Sequence, residues 1–310
     1  MPAEPVHLAP ARRPAEAGSI AILALWGVAL ISILLAAATF TTRTGVRIAE
    51  NAIGGSRARL AAEAGTQLGL FRLLRRRGEG VAVFDGGAEA WQDGSIRVAI
   101  SIVDEAGKLD LNNAPLELLA GLFVALDRPR ETALLLACNI LDRRGTPGAM
   151  CPEPANGNPR GPQLFSVPEE LGQVPGFDDT LYDSVADYVT TATGASAIDP
   201  RVAPRPVLLA IPGATPELVD GYLENRARWR ELFGGDSKLN LLPAAPFVVT
   251  SPLRDFTIRA VATTGGSARY RADLQIRLTE RPKTPYEILA MRAPPVDRGR
   301  RDSVPPRRVP

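Results

Sequence analysis

Histidine, cysteine and aromatic residues are scarce in this chain of 310 residues. It has one histidine, two cysteines and 5% aromatic residues. The single histidine is His7, so the rest of the chain cannot build a Ser-His-Asp triad, a histidine metal cluster or an imidazole general base. Two thiolates cannot complete a four-cysteine zinc site or an iron–sulfur cluster. These shortages exclude many classes of enzyme and metalloprotein.

Neither sign of charge is in excess. Lys and Arg number 36 against 34 Asp and Glu, which gives a formal net charge of +2. This balance argues against a protein held mainly by nucleic acid or anionic lipid. Hydrophobic residues make up 45% of the chain, so the composition also excludes a wholly disordered protein. The length exceeds the usual size of one domain, roughly 150 residues, and suggests two bodies or one body with appendages.

One long stretch carries no charge. It covers residues 17–42, and residues 18–40 within it are almost wholly apolar. At about 1.5 Å per residue, such a helix would cross a hydrocarbon core of about 30 Å, which predicts one transmembrane span. The alternative is a cleaved secretory signal with Arg12 and Arg13 as its basic region. The apolar part of such a signal is usually about 7–15 residues long, so the length favours a span.

Residues 16–18, Glu-Ala-Gly, separate a short basic leader from the apolar run. This arrangement resembles the leader junction of type IV pilin-like proteins, whose dedicated peptidase cuts after the glycine and leaves the helix attached. The resemblance implies a leader peptide at 1–18 and a processing site at Gly18 and Ser19. Two positions differ from the pilin pattern. Ser19 replaces the usual Phe or Met, and Leu23 occupies the fifth mature position, where most pilins carry Glu.

The rest of the chain alternates between helical and extended patterns. Apolar residues recur at helical intervals through Leu74, and three arginines before Gly78 are typical of a helix end. Alternation predicts a strand at 95–103, followed by a turn and a return strand at 108–111, which together form a β-hairpin. Further strands are predicted at 247–250, 256–262, 268–278 and 286–291, and helices at 116–126, 130–141, 168–172 and 181–190.

Because strand patterns flank a helical block, the predicted fold class is α+β. A long N-terminal transmembrane and pilin-like helix packs on an antiparallel sheet, which is interrupted by a large inserted all-helical domain of the helix-hairpin-helix or SAM-like type. The predicted parts are a leader at 1–18, the N-terminal helix at 19–77, the first part of the sheet at 78–111, the inserted domain at 112–241, the second part of the sheet at 242–292 and a disordered tail at 293–310.

Two self-similarities lie in the helical block. The segment 109–122, LDLNNAPLELLAGL, is similar to 198–213, and a Val/Ile-Pro-Gly turn recurs at 174–176 and 211–213. A glycine turn between short helices is typical of helix–hairpin–helix DNA-binding modules, in which exposed amides hold a phosphate. The acidic residues that follow each turn would repel a phosphate. A membrane-anchored DNA-binding protein of a competence-like system is therefore the alternative function.

A carboxylate-based hydrolase is a third hypothesis. Its candidate residues are Asp178, Asp179, Asp183 and Asp187. The spacing places Asp183 and Asp187 on one solvated helix face, which requires no catalysis. No catalytic residue is predicted.

Taken together, the charge-free N-terminal run, the sheet split by a helical insertion, the phrase LDLNNAP and its echo ending in LLAIPG resemble the general secretion pathway protein K family. These proteins are the large minor pseudopilins of type II secretion systems. Members characteristically lack the Glu at the fifth mature position, and this chain has Leu23 there. Members also carry a large helical insertion, which would lie here at about 112–241.

The resemblance implies a non-enzymatic protein at the tip of a short periplasmic pseudopilus. The implied partners are the I and J minor pseudopilins, the prepilin peptidase and the inner membrane, with no nucleic acid. The implied location is a single pass through the inner membrane with the C-terminal part in the periplasm. The implied role is to initiate pseudopilus assembly and to support export across the outer membrane.

Calcium is the one cofactor that the resemblance brings into question. Members of the family bind it through an acid-rich loop that follows a helix ending in Leu/Ile-Asp. The matching residues here are Leu141 and Asp142, and the only acid in the loop that follows is Glu153. Calcium takes about 6–8 oxygen ligands, so Asp142 and Glu153 are a poor set of candidate ligands. The alternative is that Asp142 ends the helix and Glu153 is solvated.

Cys138 and Cys151 bracket the same loop. If this part of the chain is periplasmic, its compartment is oxidising and a disulfide is expected. Such a bridge would replace calcium in holding the loop. The alternative is two reduced thiols buried as small apolar side chains.

Overall fold

The computed structural model describes residues 16–78, 85–146, 150–151, 161–233, 246–250, 254–265, 268–281 and 283–294. The chain divides into two compact units, Met1–Ser56 and Arg57–Pro310. Helix α1 covers Glu16–Gly78. Most of the predicted leader and most of the predicted disordered tail lie outside the described residues.

The described residues were compared with the dimensions of a membrane span. No helix in the described part of the chain is both long and apolar enough to cross a bilayer. The transmembrane span predicted at residues 18–40 is therefore not supported.

One five-stranded antiparallel sheet organises the second unit. Its order is β1-β2-β5-β6-β7, and each neighbouring pair is antiparallel. The strands are β1 (Asp85–Asp93), β2 (Ile96–Asp104), β5 (Asp255–Thr263), β6 (Arg269–Leu278) and β7 (Tyr286–Arg292). The mixed fold with an antiparallel sheet agrees with the prediction. Strands β2 and β5 are neighbours in the sheet although more than 100 residues separate them in sequence.

The predicted hairpin after β2 is wrong. Asp104 Oδ1 accepts a hydrogen bond from Ala106 N, and a 3-10 helix follows at Glu105–Gly107. Strand β3 (Leu109–Asp110) then pairs in parallel with β4 (Val189–Thr190) in a separate two-stranded sheet. The hairpin partner of β2 is β1, which the sequence analysis missed because DGGAEAWQD has little apolar alternation.

In the described part of the chain, five α-helices lie between β3 and β5. They are α2 (Leu116–Ala125), α3 (Arg130–Arg143), α4 (Asp179–Val185), α5 (Arg205–Leu209) and α6 (Pro216–Phe233). The segment also contains a 3-10 helix at Pro168–Gln173 and the paired strands β3 and β4, so an all-helical inserted domain is not confirmed. The helix predicted at 181–190 ends at Val185, and its last residues form β4 instead.

The second unit has two apolar cores. In the first, α1 packs through Leu70 and Leu73 on one face of the sheet. Gly65 and Gly69 make this contact close, because a Cβ at Gly69 would lie 2.5 Å from Ile258 Cγ2. The second core fills the part of the chain between β3 and β5, which we call the helical segment, and includes Phe123.

Candidate functional site

The first described part of α1 exposes an apolar surface. Leu23 is 71% exposed and Trp26 is 70% exposed, and the neighbouring large apolar side chains through Leu35 are similarly accessible. A soluble monomer rarely leaves so many large apolar side chains in contact with water. This surface is therefore a candidate contact with other molecules. The predicted processing residues Gly18 and Ser19 lie near the start of the same helix.

The LDLNNAP phrase folds into a buried hydrogen-bonded turn around Asp110. Its carboxylate is 1% exposed, and Oδ1 accepts hydrogen bonds from the backbone N–H groups of Asn112 and Asn113 at 2.9 and 3.1 Å. Oδ2 accepts from Thr193 Oγ1 at 3.1 Å and from Gly194 N at 2.8 Å. Asp110 thereby holds the turn before α2 against the chain that follows β4.

Two further side chains attach this turn to the helical segment. The Asn112 amide donates to Phe165 O at 2.9 Å and accepts from Phe165 N at 2.7 Å, as a paired strand residue would. The Arg144 guanidinium donates to the carbonyl oxygens of Leu111 and Ala114 at 3.0 and 2.8 Å. Burial lowers the pKa of Arg144. The LDLNNAP motif, on which the family resemblance depends, therefore has a structural role in holding this turn.

The second copy of this motif, in residues 198–213, adopts the same local structure. Ala114 N donates to Asp110 O at 2.7 Å, and Ala203 N donates to Asp199 O at 3.0 Å. A proline follows each alanine and caps the next helix, α2 in one case and α5 in the other. Asp199 is fully buried and pairs with Arg201, whose Nη2 lies 2.6 Å from Asp199 Oδ2. The internal repeat seen in the sequence therefore corresponds to a repeated turn.

The two cysteines are joined by a disulfide in the structure, with their Cα atoms 5.5 Å apart. Asp142 lies at the end of α3, and Glu153 lies outside the described residues. Within the described ranges, no group of three or more histidine, cysteine, aspartate or glutamate side chains is placed to hold a metal ion. The structure thus provides no support for a calcium site at Asp142.

We expect Cys151→Ser to lower the thermal stability of the chain. The disulfide closes a loop of 13 residues in sequence separation, and opening it should cost about 3 kcal/mol through the entropy of the unfolded chain. Adding calcium should restore little of the loss, because few carboxylates are near. The measurement is the melting temperature of both proteins with and without calcium. Full rescue by calcium, or two free thiols in non-reducing peptide mapping of the parent protein, would contradict this account.

The two Pro-Gly turns are alike, and the helix start that follows the first of them is not free for a phosphate. Gly176 and Gly213 have φ of 87° and 83°, which explains why glycine is needed. After the first turn, Asp178 Oδ1 accepts from Leu181 N at 2.7 Å and caps α4. A carboxylate already occupies the helix start that a phosphate would use. This geometry does not favour the DNA-binding alternative.

The acidic residues of the hydrolase hypothesis have different environments. Asp178 caps α4, and Asp179 lies in its first turn. Helix α4 ends at Val185, so Asp183 and Asp187 do not share one helix as predicted. Asp187 instead pairs with Arg259, whose Nη2 is 3.2 Å from Asp187 Oδ1. The four residues therefore show no arrangement that indicates hydrolysis.

A charged cleft separates the sheet from the helical segment. Its cavity of about 250 Å³ is lined by residues of both parts, including Arg259, Asp187 and Tyr182. Arg259 reaches across the cleft to Asp187, and Arg292 lies 3.6 Å from Glu169. Burial raises the pKa of Tyr182 to about 12. Ion pairs thus hold the two parts together around the cleft.

Strand β7 presents an exposed apolar strip at one edge of the sheet, formed by Ile288 and Met291. Their cross-strand partners are Ile276 and Leu274, which are buried in the core beneath α1. Cross-strand partners share a face of the sheet, so Ile288 and Met291 continue the face that α1 covers. Yet they are 58% and 55% exposed. This strip is the second candidate contact surface.

Sequence reasoning missed several of these features. Arg144 and Arg259 belong to no recognisable motif, and each acts on residues distant in sequence. The apolar character of β7 was visible in YEILAM, but alternation cannot show that α1 stops short of it. The turn residues of the LDLNNAP motif, the two cysteines and the Val/Ile-Pro-Gly turns did carry a signal in the sequence.

No protein-family model and no curated protein matches this chain. Among solved structures, the fold is similar to that of a chain in the crystal structure of the GspK-GspI-GspJ complex from the enterotoxigenic Escherichia coli type 2 secretion system. The TM-score is 0.51 and the sequence identity is 14%. The match covers 82% of this chain and 99% of that chain. A likeness at this identity shows a shared fold.

Proposed function

We propose that this protein is a minor pseudopilin of a type II secretion system. The observation that carries the proposal is the structural likeness to a chain of the GspK-GspI-GspJ complex, which extends over 82% of this protein. The motifs that suggested the K family lie in the same fold, with Asp110 and Asp199 at the centres of two matching turns. We also propose that the role is non-enzymatic, since the acidic residues considered for hydrolysis serve as caps and ion pairs.

The finer proposal is that the subunit lies at the pseudopilus tip, where it initiates assembly and supports export across the outer membrane. Leu23 supports this position. In a pilin filament, the fifth-position Glu of one subunit neutralises the amine of its neighbour, because an unpaired charge in hydrocarbon is costly. A subunit with Leu23 offers no such carboxylate, whereas its own amine at Ser19 can still pair with another subunit. Such a one-sided subunit belongs at an end.

The proposed partners are the I and J minor pseudopilins of the same secretion system, together with the prepilin peptidase that would cut after Gly18. The exposed apolar strip on β7 is the contact that these partners would cover. Apolar side chains such as Ile288 and Met291 gain most from burial against another protein.

The proposed location is the inner membrane, with the second unit in the periplasm. The disulfide between Cys138 and Cys151 supports the periplasmic part, because disulfides persist in oxidising compartments. The exposed apolar side chains around Leu23 support contact with a membrane. Fractionation and protease accessibility in spheroplasts would test the location. Recovery of the protein in the cytoplasm with reduced thiols would reject it.

The test of the proposed function is co-purification of the full-length chain with the other minor pseudopilins of its secretion system. We expect a defined complex, and we expect mass spectrometry to find the mature N-terminus at Ser19. Ile288→Asp should weaken the complex by about tenfold or more, because it places a charge in an apolar contact. The matched control is Leu135→Asp, since Leu135 is 50% exposed on α3 and lies away from β7.

Three outcomes would defeat the proposal. They are a homopolymer formed by this chain alone, the absence of binding to any pseudopilin of the system, and an intact Met1 in cells that process other pseudopilins. Tight, salt-sensitive binding to DNA would instead favour the DNA-binding alternative. Equal loss of binding in the Ile288→Asp and Leu135→Asp variants would reject β7 as the contact while leaving the complex itself established.

A further inference from the structure

Asp104 is a buried carboxyl group at the joint between the sheet and the helical segment. It is the last residue of β2, and its side chain is 1% exposed. Oδ1 accepts one hydrogen bond, from Ala106 N at 2.9 Å. The buried Oδ2 has no hydrogen-bond partner within the part of the chain that the structure describes. A carboxylate in this position would lack most of the hydrogen bonds that stabilise its charge.

Acidic groups face Asp104 from two neighbouring elements. Glu105, in the 3-10 helix, is 2% exposed, and its own charge is paired with Lys108 Nζ at 2.6 Å. Asp199, in the segment after β4, is fully buried and paired with Arg201. Both acids disfavour a negative charge on Asp104, and only Arg201 among these groups favours it.

The remaining charged groups near Asp104 line a small cavity beside it. The cavity has a volume of about 160 Å³. The charged residues that line it include Asp187, Arg226 of α6 and Arg259 of β5. Each of these charges already has a partner. Arg226 Nη1 donates to Pro200 O and Ala203 O at 2.8 and 2.7 Å, and Arg259 pairs with Asp187.

The joint itself depends on close backbone contact. Asp199 N donates to Ala106 O at 2.8 Å and ties the 3-10 helix to the segment that leads into α5. A Cβ at Gly107 would lie 2.7 Å from the carbonyl carbon of Val202. Although the cavity lies beside Asp104, Oδ2 itself is buried and has no hydrogen-bond partner within the described residues, so a charge on this atom is poorly solvated unless the two backbones separate.

Burial, more than any other cause, raises the pKa of Asp104, to about 7. The sign of the linkage follows. An exposed carboxyl ionises near pH 4, so the closed joint holds a proton that an open joint would release. The protonated Asp104 carboxyl therefore stabilises the closed joint fully at acidic pH. This stabilisation is lost as the pH rises through the pKa that Asp104 has in the folded protein.

We propose that this joint opens when the Asp104 carboxyl ionises, so that the contact between the sheet and the helical segment responds to pH. In the closed joint the neutral carboxyl fits between Glu105 and Asp199. In the open joint the carboxylate reaches water, and the contact between Ala106 and Asp199 is broken. This inference concerns the chain alone and does not depend on the proposed partners.

The test is hydrogen exchange of the full-length chain at pH 6 and pH 8, with rates corrected for the intrinsic pH dependence of exchange. We expect protection in peptides covering 102–112 and 197–204 to fall by about tenfold between the two values, as one proton linked to opening requires. The internal reference is a peptide covering 269–278 in β6, where protection should not fall in the same way.

Asp104→Asn is the decisive variant, because asparagine keeps the acceptor for Ala106 N but cannot ionise. The pH dependence at the joint should disappear in this variant. Constant protection at the joint in the parent protein would overturn the proposal, and so would an equal fall in the variant. If the variant does not fold, the parent protein decides the question, since a fall confined to the joint supports the proposal and a fall shared with β6 rejects it.

Discussion

Asp110→Ala is expected to lower the free energy of unfolding by about 3–5 kcal/mol. The substitution removes one carboxylate that accepts from Asn112 N, Asn113 N and Gly194 N. Each buried N–H group left without an acceptor costs about 1–3 kcal/mol. The turn before α2 and the chain after β4 would lose their common anchor, because Asp110 is 1% exposed and water cannot take its place without a rearrangement.

Urea unfolding of the disulfide-intact chain, followed by circular dichroism, measures this loss. The free energy of unfolding of Asp110→Asn should lie between those of the parent and the alanine variant. Asparagine keeps one oxygen acceptor, but its NH₂ group must face either Gly194 N or the backbone N–H groups of Asn112 and Asn113, which it cannot accept from. The matched control is Asp93→Ala, because Asp93 is exposed at the end of β1 and its loss should change stability by about 0.5 kcal/mol or less. Equal stability of the Asp110→Ala and Asp93→Ala variants would show that the turn is not an anchor.

Gly121→Ala should destabilise the helical segment by about 1–3 kcal/mol. A Cβ at Gly121 would lie 2.3 Å from Ala210 O and 2.9 Å from Ala210 Cα. The obstruction is backbone, which cannot rotate away as a flexible side chain would. Helix α2 would therefore have to move away from the end of α5, and the apolar contacts between these helices would loosen.

The matched control for this substitution is Gly221→Ala. Gly221 lies inside α6, and nothing is within 4 Å of a Cβ built there. Alanine should stabilise α6 by about 0.5–1 kcal/mol, since it is the better helix former. Thermal unfolding of the two variants should therefore shift in opposite directions. A stabilised Gly121→Ala variant would contradict the close packing of α2 against α5.

Local patterns determined much of the sheet and the helices. Strands β5 and β6 were predicted within one or two residues of their ends. Strand β6 alternates between more and less buried residues, whereas β5 is buried along nearly its whole length and is rich in apolar residues. Helices α2 and α3 were predicted equally well, since each has an apolar stripe and a proline at its start. The repeated turn at Asp110 and Asp199 was also visible, because its hydrogen bonds run between residues close in sequence.

Features that depend on distant residues were not predictable in this way. The parallel pairing of β3 with β4 joins two strands of two residues each, which are too short to show any period. The strand after β2 therefore pairs with β4 and not with β2 as predicted, and the helix predicted at 181–190 ends at Val185. The inserted all-helical domain was predicted from strand patterns that flank a helical block, and it is not confirmed, because the structure shows that the same segment also contains β3 and β4.

The sequence by itself determined the local elements, the repeated turn and the scarcity of catalytic residues. The tertiary structure alone decided which groups lose water and which side chains meet. Asp104 is an ordinary turn residue in the sequence, yet it is buried in the structure, where the 3-10 helix beside it is hydrogen-bonded to Asp199. Ile288 reads as an ordinary strand residue, yet α1 covers its neighbour Ile276 and leaves Ile288 exposed. Burial is a property of the packed chain, because residues far apart in sequence exclude the solvent.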